Sequence, residues 1–109
     1  MKYYIIAGEA SGDLHASNLV RELRLLDMNA LFRGWGGDLM QEEGVELVRH
    51  IRDLAFMGFL EVVSHLPRIL GNLKFCEQDI IQFDPDVLIL VDYPGFNLRI
   101  ARFAASGLP

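Results

Sequence analysis

The stretch DPDVLILVD (Asp84–Asp92) constrains the fold more than any other in the chain. A proline turn leads into five consecutive apolar residues, and a carboxylate stands at their end. An unbroken apolar run, rather than an alternating one, marks a strand covered on both faces, as in a parallel sheet packed between helices. Near the start, KYYIIA (Lys2–Ala7) is a second such strand, and it stops at Gly8. Helical spacing follows at Ala16, Leu19, Val20, Leu23 and Leu26.

Between these two, strand and helix signals alternate. ALFRGWGG (Ala30–Gly37) reads as the second strand, ending in a glycine turn. DLMQEEG is a short helix that starts at Asp38 and is stopped by Gly44. VELV (Val45–Val48) reads as a short third strand, and a helix is expected near Gly58–His65. A longer helix begins around Pro67, with Leu66, Ile69, Leu70, Leu73, Cys76 and Ile80 on one face. YPGFN then turns the chain into a last helix carrying Ile100, Ala101, Phe103 and Ala104. Strand–helix alternation predicts an α/β, Rossmann-like three-layer domain with a mostly parallel sheet. At 109 residues the chain is short for a complete α/β enzyme, and SGLP (Ser106–Pro109) reads as a loop toward another strand. The expectation is one truncated domain over 1–109, part of a larger protein.

Charge narrows the function. Ten Lys and Arg against fifteen Asp and Glu give a net charge of −5, which argues against a nucleic-acid binder. The single Cys76 excludes an internal disulfide and fits a reducing cytosol, and on an apolar helix face it reads as buried. Neither a signal peptide nor a stretch of the ~20 apolar residues that span a bilayer is expected. LAFMGFLEVV (Leu54–Val63) is too densely apolar for one helical stripe. It reads either as core plus a domain interface, or as an apolar surface that meets lipid. Neither an H-x-x-x-H nor a C-x-x-C spacing occurs in the sequence.

The turns Gly8–Asp13, Gly34–Asp38 and Asp92–Asn97 each follow a strand, so all three open on the rim where parallel sheets bind ligands. Glycines there let backbone N–H groups approach an oxygen-rich ligand, and carboxylates suit sugar hydroxyls. GEASGD matches neither G-x-G-x-x-G nor a lysine-bearing phosphate loop. Simpler readings stand beside these: a tight turn with Asp13 or Ser11 capping the first helix, GWGG as a plain turn with Trp35 packed, and Asp92 as a cap for the last helix. Turn chemistry explains Asp84 and Asp86. His15, one turn into the first helix and near the rim, reads as a polar surface or capping residue before a functional one, and His50 and His65 read as solvated.

Taken in order, GEASGD (Gly8–Asp13), GWGGDLM (Gly34–Met40), LAFMGFLEVV (Leu54–Val63) and PDVLILVDYPGFN (Pro85–Asn97) resemble the lipid-A-disaccharide synthase family over essentially the whole chain. The resemblance implies a GT-B glycosyltransferase with two Rossmann-like domains, of which this is the N-terminal, acceptor-side portion; the UDP-sugar-binding C-terminal domain is absent. It implies transfer from UDP-2,3-diacylglucosamine to 2,3-diacylglucosamine 1-phosphate (lipid X), giving lipid A disaccharide 1-phosphate and UDP, without cofactor or metal. It implies a peripheral enzyme at the cytoplasmic face of the inner membrane, with an oligomer possible and no nucleic-acid partner. On this reading Asp92, Glu9 and Asp13 are the catalytic candidates; Gly8, Ser11, Gly12, Gly36, Gly37 and Asn97 bind substrate; and Phe56, Met57, Phe59 and Leu60 face lipid. Many family members read D-x-P-D-F-N in the last turn, whereas DYPGFN places Gly95 at the second carboxylate. The segment alone is expected to be inactive. The competing readings are another GT-B sugar-nucleotide enzyme, which would not require acyl chains, and a flavodoxin-type nucleotide module, which Glu9 disfavours by repelling phosphate.

Overall fold

Apolar runs such as YYIIA and VLILV need cover on both faces, and the chain supplies it with helices; the strand Lys2–Ala7 has a strand on either side, while Val87–Val91 ends the sheet among the described residues. The computed structural model describes residues 1–54 and 66–107. In order they form β1 (Lys2–Ala7), α1 (Ala10–Leu26), β2 (Leu31–Gly36), α2 (Asp38–Glu42), β3 (Glu46–His50), a 3-10 turn (Ile51–Asp53), α3 (Leu66–Phe83), β4 (Val87–Val91) and α4 (Pro94–Gly107). The four strands make one parallel sheet in the order β3-β2-β1-β4. The helix expected near Gly58–His65 lies outside the described residues, as do Phe56, Met57, Phe59 and Leu60.

Helices cover both faces, so the three-layer α/β expectation holds. Tyr3, Ile5 and Ala7 pack with Ala16, Val20, Phe32, Met40 and Val45 beneath α1 and α2. Tyr4 and Ile6, pointing the other way, pack with Trp35, Leu73, Cys76, Ile80, Phe96 and Ile100 beneath α3 and α4. This two-sided burial is why YYIIA carries no charged residue, and why the buried Tyr4 hydroxyl is hydrogen-bonded. Desolvation pushes the Cys76 thiol up to about 12, so it stays a protonated core residue. Gly44 stops α2 with a left-handed φ of 99°, the conformation glycine adopts without penalty. Asp84 turns the chain at the foot of β4 with a φ of 54°.

Three local expectations change. α1 begins at Ala10 rather than Asp13, so Ser11, Gly12 and Asp13 occupy its first turn and are not a free loop. The cap position falls to Glu9, whose side chain makes no capping bond. On α3, only Leu73, Cys76 and Ile80 of the expected apolar face are buried, while Leu66 and Leu70 are about half exposed.

A polar network ties α3 to the sheet within the second core. Asp79, only 7% exposed, accepts two bonds from Arg33, at 2.9 and 2.7 Å, and one from the Tyr4 hydroxyl at 2.7 Å. The Trp35 indole N–H donates to that hydroxyl at 3.1 Å, and Glu46 takes another Arg33 N–H.

Candidate functional site

The chain moves from β1 outward through β2 and β3, then returns to place β4 on the other side of β1. The carboxyl ends of β1 and β4 therefore flank the topological switch point, where the two connections diverge and leave a crevice. Ala7 pairs with Val91 at the top of these strands, so the next residues, Gly8–Glu9 and Asp92–Tyr93, face each other across it. Glu9 and Asp92 are both exposed. A Cβ at Gly8 would fall inside the Tyr93 ring, so only glycine lets that ring lie over the end of β1. Tyr93 also stacks on Phe96, with centroids 5.0 Å apart, and burial raises its phenol above the ordinary value. Tyr93 was not among the sequence candidates: a tyrosine in a turn gives no pattern, and only the pairing of β1 with β4 reveals what it covers.

The turn after β4 is held in an unusual backbone conformation. Asp92 and Tyr93 both have φ of 52°. Left-handed geometry at a residue other than glycine costs on the order of 1–3 kcal/mol each, and it persists where surrounding structure enforces it. Asn97, in the first turn of α4, supplies two hydrogen bonds to the main chain there. Its Nδ2 donates to the Asp92 carbonyl at 2.7 Å and to the Ile6 carbonyl at 3.3 Å. Asn97 is buried, so its amide turns toward the main chain rather than toward a ligand.

Asp13 takes a different role from the one expected. Its carboxylate accepts from the backbone N–H groups of Gly37 (2.8 Å), Leu39 (3.1 Å) and Met40 (3.0 Å), and the residue is 5% exposed. It thus caps α2 from the first turn of α1, instead of capping its own helix or standing free as a base. Gly36 and Gly37 serve the same junction. A Cβ on Gly37 would lie 2.5 Å from Asp13 Oδ2, and one on Gly36 would strike the Met40 sulfur. The Gly37 N–H is already spent on Asp13, and Gly12 lets α1 sit against Ala7 and Val91. Ser11 is exposed at the start of α1. Replacing Asp13 with alanine would strand three N–H groups, and we expect a stability loss of about 2 kcal/mol, read as a lower urea midpoint. A loss within error would remove the capping assignment.

Farther along the rim, His50 is not simply solvated. Its Nε2 lies 2.8 Å from Asp38 Oδ1, and its Nδ1 accepts from the Arg52 N–H at 3.2 Å. The β2–β3 end of the rim is therefore closed by contacts within the chain, whereas the β1–β4 end is open. Beside the open end, a cavity of about 330 Å³ lies between α3 and α4, lined by apolar residues including Leu54, Ile69, Leu73 and Phe96, and reaching Tyr93 and Gly95. Among the described residues no three His, Cys, Asp or Glu side chains are grouped to hold a metal ion. No helix among them is long and apolar enough to cross a membrane.

Gly95 deserves a separate test, because nothing lies within 4 Å of where its Cβ would be. An aspartate fits there, in the first turn of α4, where it exchanges glycine's flexibility for a favourable helix-dipole contact. Gly95→Asp is expected to raise stability by about 0.5–1 kcal/mol, measured by thermal unfolding. A fall in stability would mean that the open space is needed by the fold.

Parallel strands, helices on both faces and two exposed carboxylates just past the strand ends at the switch point define a doubly wound α/β domain, a class whose ligands bind at that position. Comparison with known proteins narrows this. The sequence profile of the lipid-A-disaccharide synthetase family matches residues 3–107, and the chain belongs to that family. It is 46% identical over 100 residues to a lipid-A-disaccharide synthase of Geobacter sulfurreducens, covering 92% of this chain and 26% of that protein. It is 45% identical over 106 residues to the Myxococcus xanthus synthase, covering 96% of this chain and 28% of that one. The Neisseria meningitidis serogroup A synthase is 42% identical over the same length. The chain thus spans about a quarter of the length of the curated relatives it matches.

Proposed function

We propose that this segment is the acceptor-side part of an enzyme that transfers a diacylglucosamine unit from UDP-2,3-diacylglucosamine to lipid X. The observation that carries the reading is the pairing of the β1 and β4 ends, which brings the exposed Glu9 and Asp92 to one rim, with an apolar cavity that reaches Tyr93, the residue after Asp92. An acylated sugar phosphate needs that combination: polar groups for its hydroxyls beside apolar walls for its chains. In the reaction the acceptor 6-hydroxyl oxygen attacks the donor's anomeric carbon. The bond from that carbon to the diphosphate breaks, and its electron pair leaves with UDP. Asp92 takes the hydroxyl proton as the new bond forms, with Glu9 as the neighbouring carboxylate. Asp13 has no part in this step beyond holding α2. Stabilising the leaving diphosphate falls to a second domain of GT-B type.

The half-exposed Leu66 and Leu70 line the same cavity and favour a membrane-adjacent mouth, so lipid substrates enter without leaving an apolar environment. With that go a peripheral position at the inner membrane and a lipid-facing role for Phe56, Met57, Phe59 and Leu60. The test is to incubate full-length protein carrying this segment with UDP-2,3-diacylglucosamine and lipid X. Disaccharide 1-phosphate and UDP are expected. Well-folded protein that forms neither would overturn the reading, and turnover of a deacylated acceptor at equal rate would point to another sugar-nucleotide enzyme.

A further inference from the structure

We infer that Asn97 is a positioning residue for Asp92, and that it acts on the reaction only through that carboxylate. The inference rests on the reading of Asp92 as the base. Its ground is the juxtaposition of three groups: one amide nitrogen bonded to the Asp92 carbonyl (2.7 Å) and to the Ile6 carbonyl (3.3 Å), in a turn with two successive left-handed residues. Ile6 belongs to β1, and Asp92 follows β4. A single side chain therefore joins the two strand ends that flank the crevice, and it fixes the peptide from which the Asp92 side chain departs.

The bonding pattern makes the donor specific. Both partners are carbonyl oxygens, so the group between them must offer two N–H bonds and no lone pair. An amide nitrogen does this, whereas a carboxylate at the same place would face two acceptors. The arrangement is not the one that stability alone would select. The Asn97 residue is 5% exposed, and its Oδ1 is buried with no partner among the described residues. An unmatched buried acceptor disfavours folding, and an apolar side chain of similar volume would avoid it. What an apolar side chain cannot do is hold the Asp92 peptide. Without that bond the left-handed turn relaxes, and the carboxylate swings away from the acceptor hydroxyl. Small displacements of a reacting group carry large rate penalties.

The experiment is a double-mutant cycle in full-length protein, using Asn97→Ala, Asn97→Leu and Asp92→Asn, with kcat and KM measured for both substrates. In the parent background each Asn97 variant is expected to lower kcat by about 10-fold or more while KM changes by less than about 3-fold. In the Asp92→Asn background the same changes are expected to move the residual turnover by less than about 2-fold, because the group through which Asn97 acts is already gone. Asn97→Leu fills the site and retains the fold if Asn97→Ala does not. Equal losses in both backgrounds, a KM effect at constant kcat, or unfolding of both variants would each overturn the inference. Near-normal turnover of Asp92→Asn alone would instead remove the base on which it rests, so the two failures are distinguishable.

Discussion

Turnover of the full-length protein is expected to fall by about 10²-fold or more on Asp92→Asn, with little change in stability. The substitution is chosen so that chemistry and folding separate. Asparagine matches aspartate in size and is one of the few residues that tolerate left-handed backbone, which this position has at a φ of 52°. The Asn97 bond is to the Asp92 main-chain carbonyl, so it survives the change. In the proposed role of Asp92, the variant would lose only the ability to accept a proton from the sugar hydroxyl. If turnover stays near normal while the protein is folded, Asp92 is not the base, and Glu9 becomes the next residue to replace.

The largest effect on stability is expected at Asp79, far from the crevice. Asp79→Ala removes the acceptor of two Arg33 bonds and one Tyr4 bond, and leaves the guanidinium and hydroxyl partly buried without it. Breaking a buried pair from one side costs about 3 kcal/mol or more, and here the guanidinium would keep only its contact with the exposed Glu46 while the Tyr4 hydroxyl loses its acceptor. Loss of that size is readable as a shift of the urea midpoint at unchanged slope. The pH dependence has a definite sign. Desolvation pushes the Asp79 carboxyl up, but the Arg33 and Tyr4 bonds and the Arg33 charge outweigh it and leave it below the ordinary carboxylate value. A carboxyl lowered in the folded state contributes stability that is fully present above its unfolded value of about 3.9 and is lost as pH falls through its folded value. The gap between parent and Asp79→Ala should therefore be widest above about pH 4 and narrow in acid. A gap independent of pH would mean that packing, not the ion pair, holds α3 to the sheet.

The two patterns of periodicity account for what was legible. YYIIA could be recognised because residues buried on both faces must all be apolar. VLILV carries the same pattern, although it is only partly buried at the end of the described sheet. Helical spacing gave α1 and α4 because one stripe suffices there. The rim turns were also legible, since each follows a strand end. Their division of labour was not. Asp13, Gly36 and Gly37 look like ligand-binding residues in sequence, yet Asp13 accepts from the Gly37 and Met40 N–H groups at the start of α2, and Gly36 makes room for the Met40 side chain. A carboxylate and a glycine N–H carry the same letters whether the partner is a sugar or another helix. Asp79 gave no signal at all, because its partners lie 46 and 75 positions away.

Sequence by itself determined the α/β class, the order of the elements and the family, because each depends on local apolar patterning or on the order of short motifs along the chain. Tertiary structure alone decided which rim residues remain open to a ligand. The strand order β3-β2-β1-β4 sets Gly8 and Glu9 against Asp92 and Tyr93, and closes the other end with the Asp13 cap and the His50–Asp38 contact. The physical reason is that a polar group can act on a substrate only if its hydrogen-bonding capacity is not already used within the protein. That accounting is settled by neighbours in space, which linear spacing does not record.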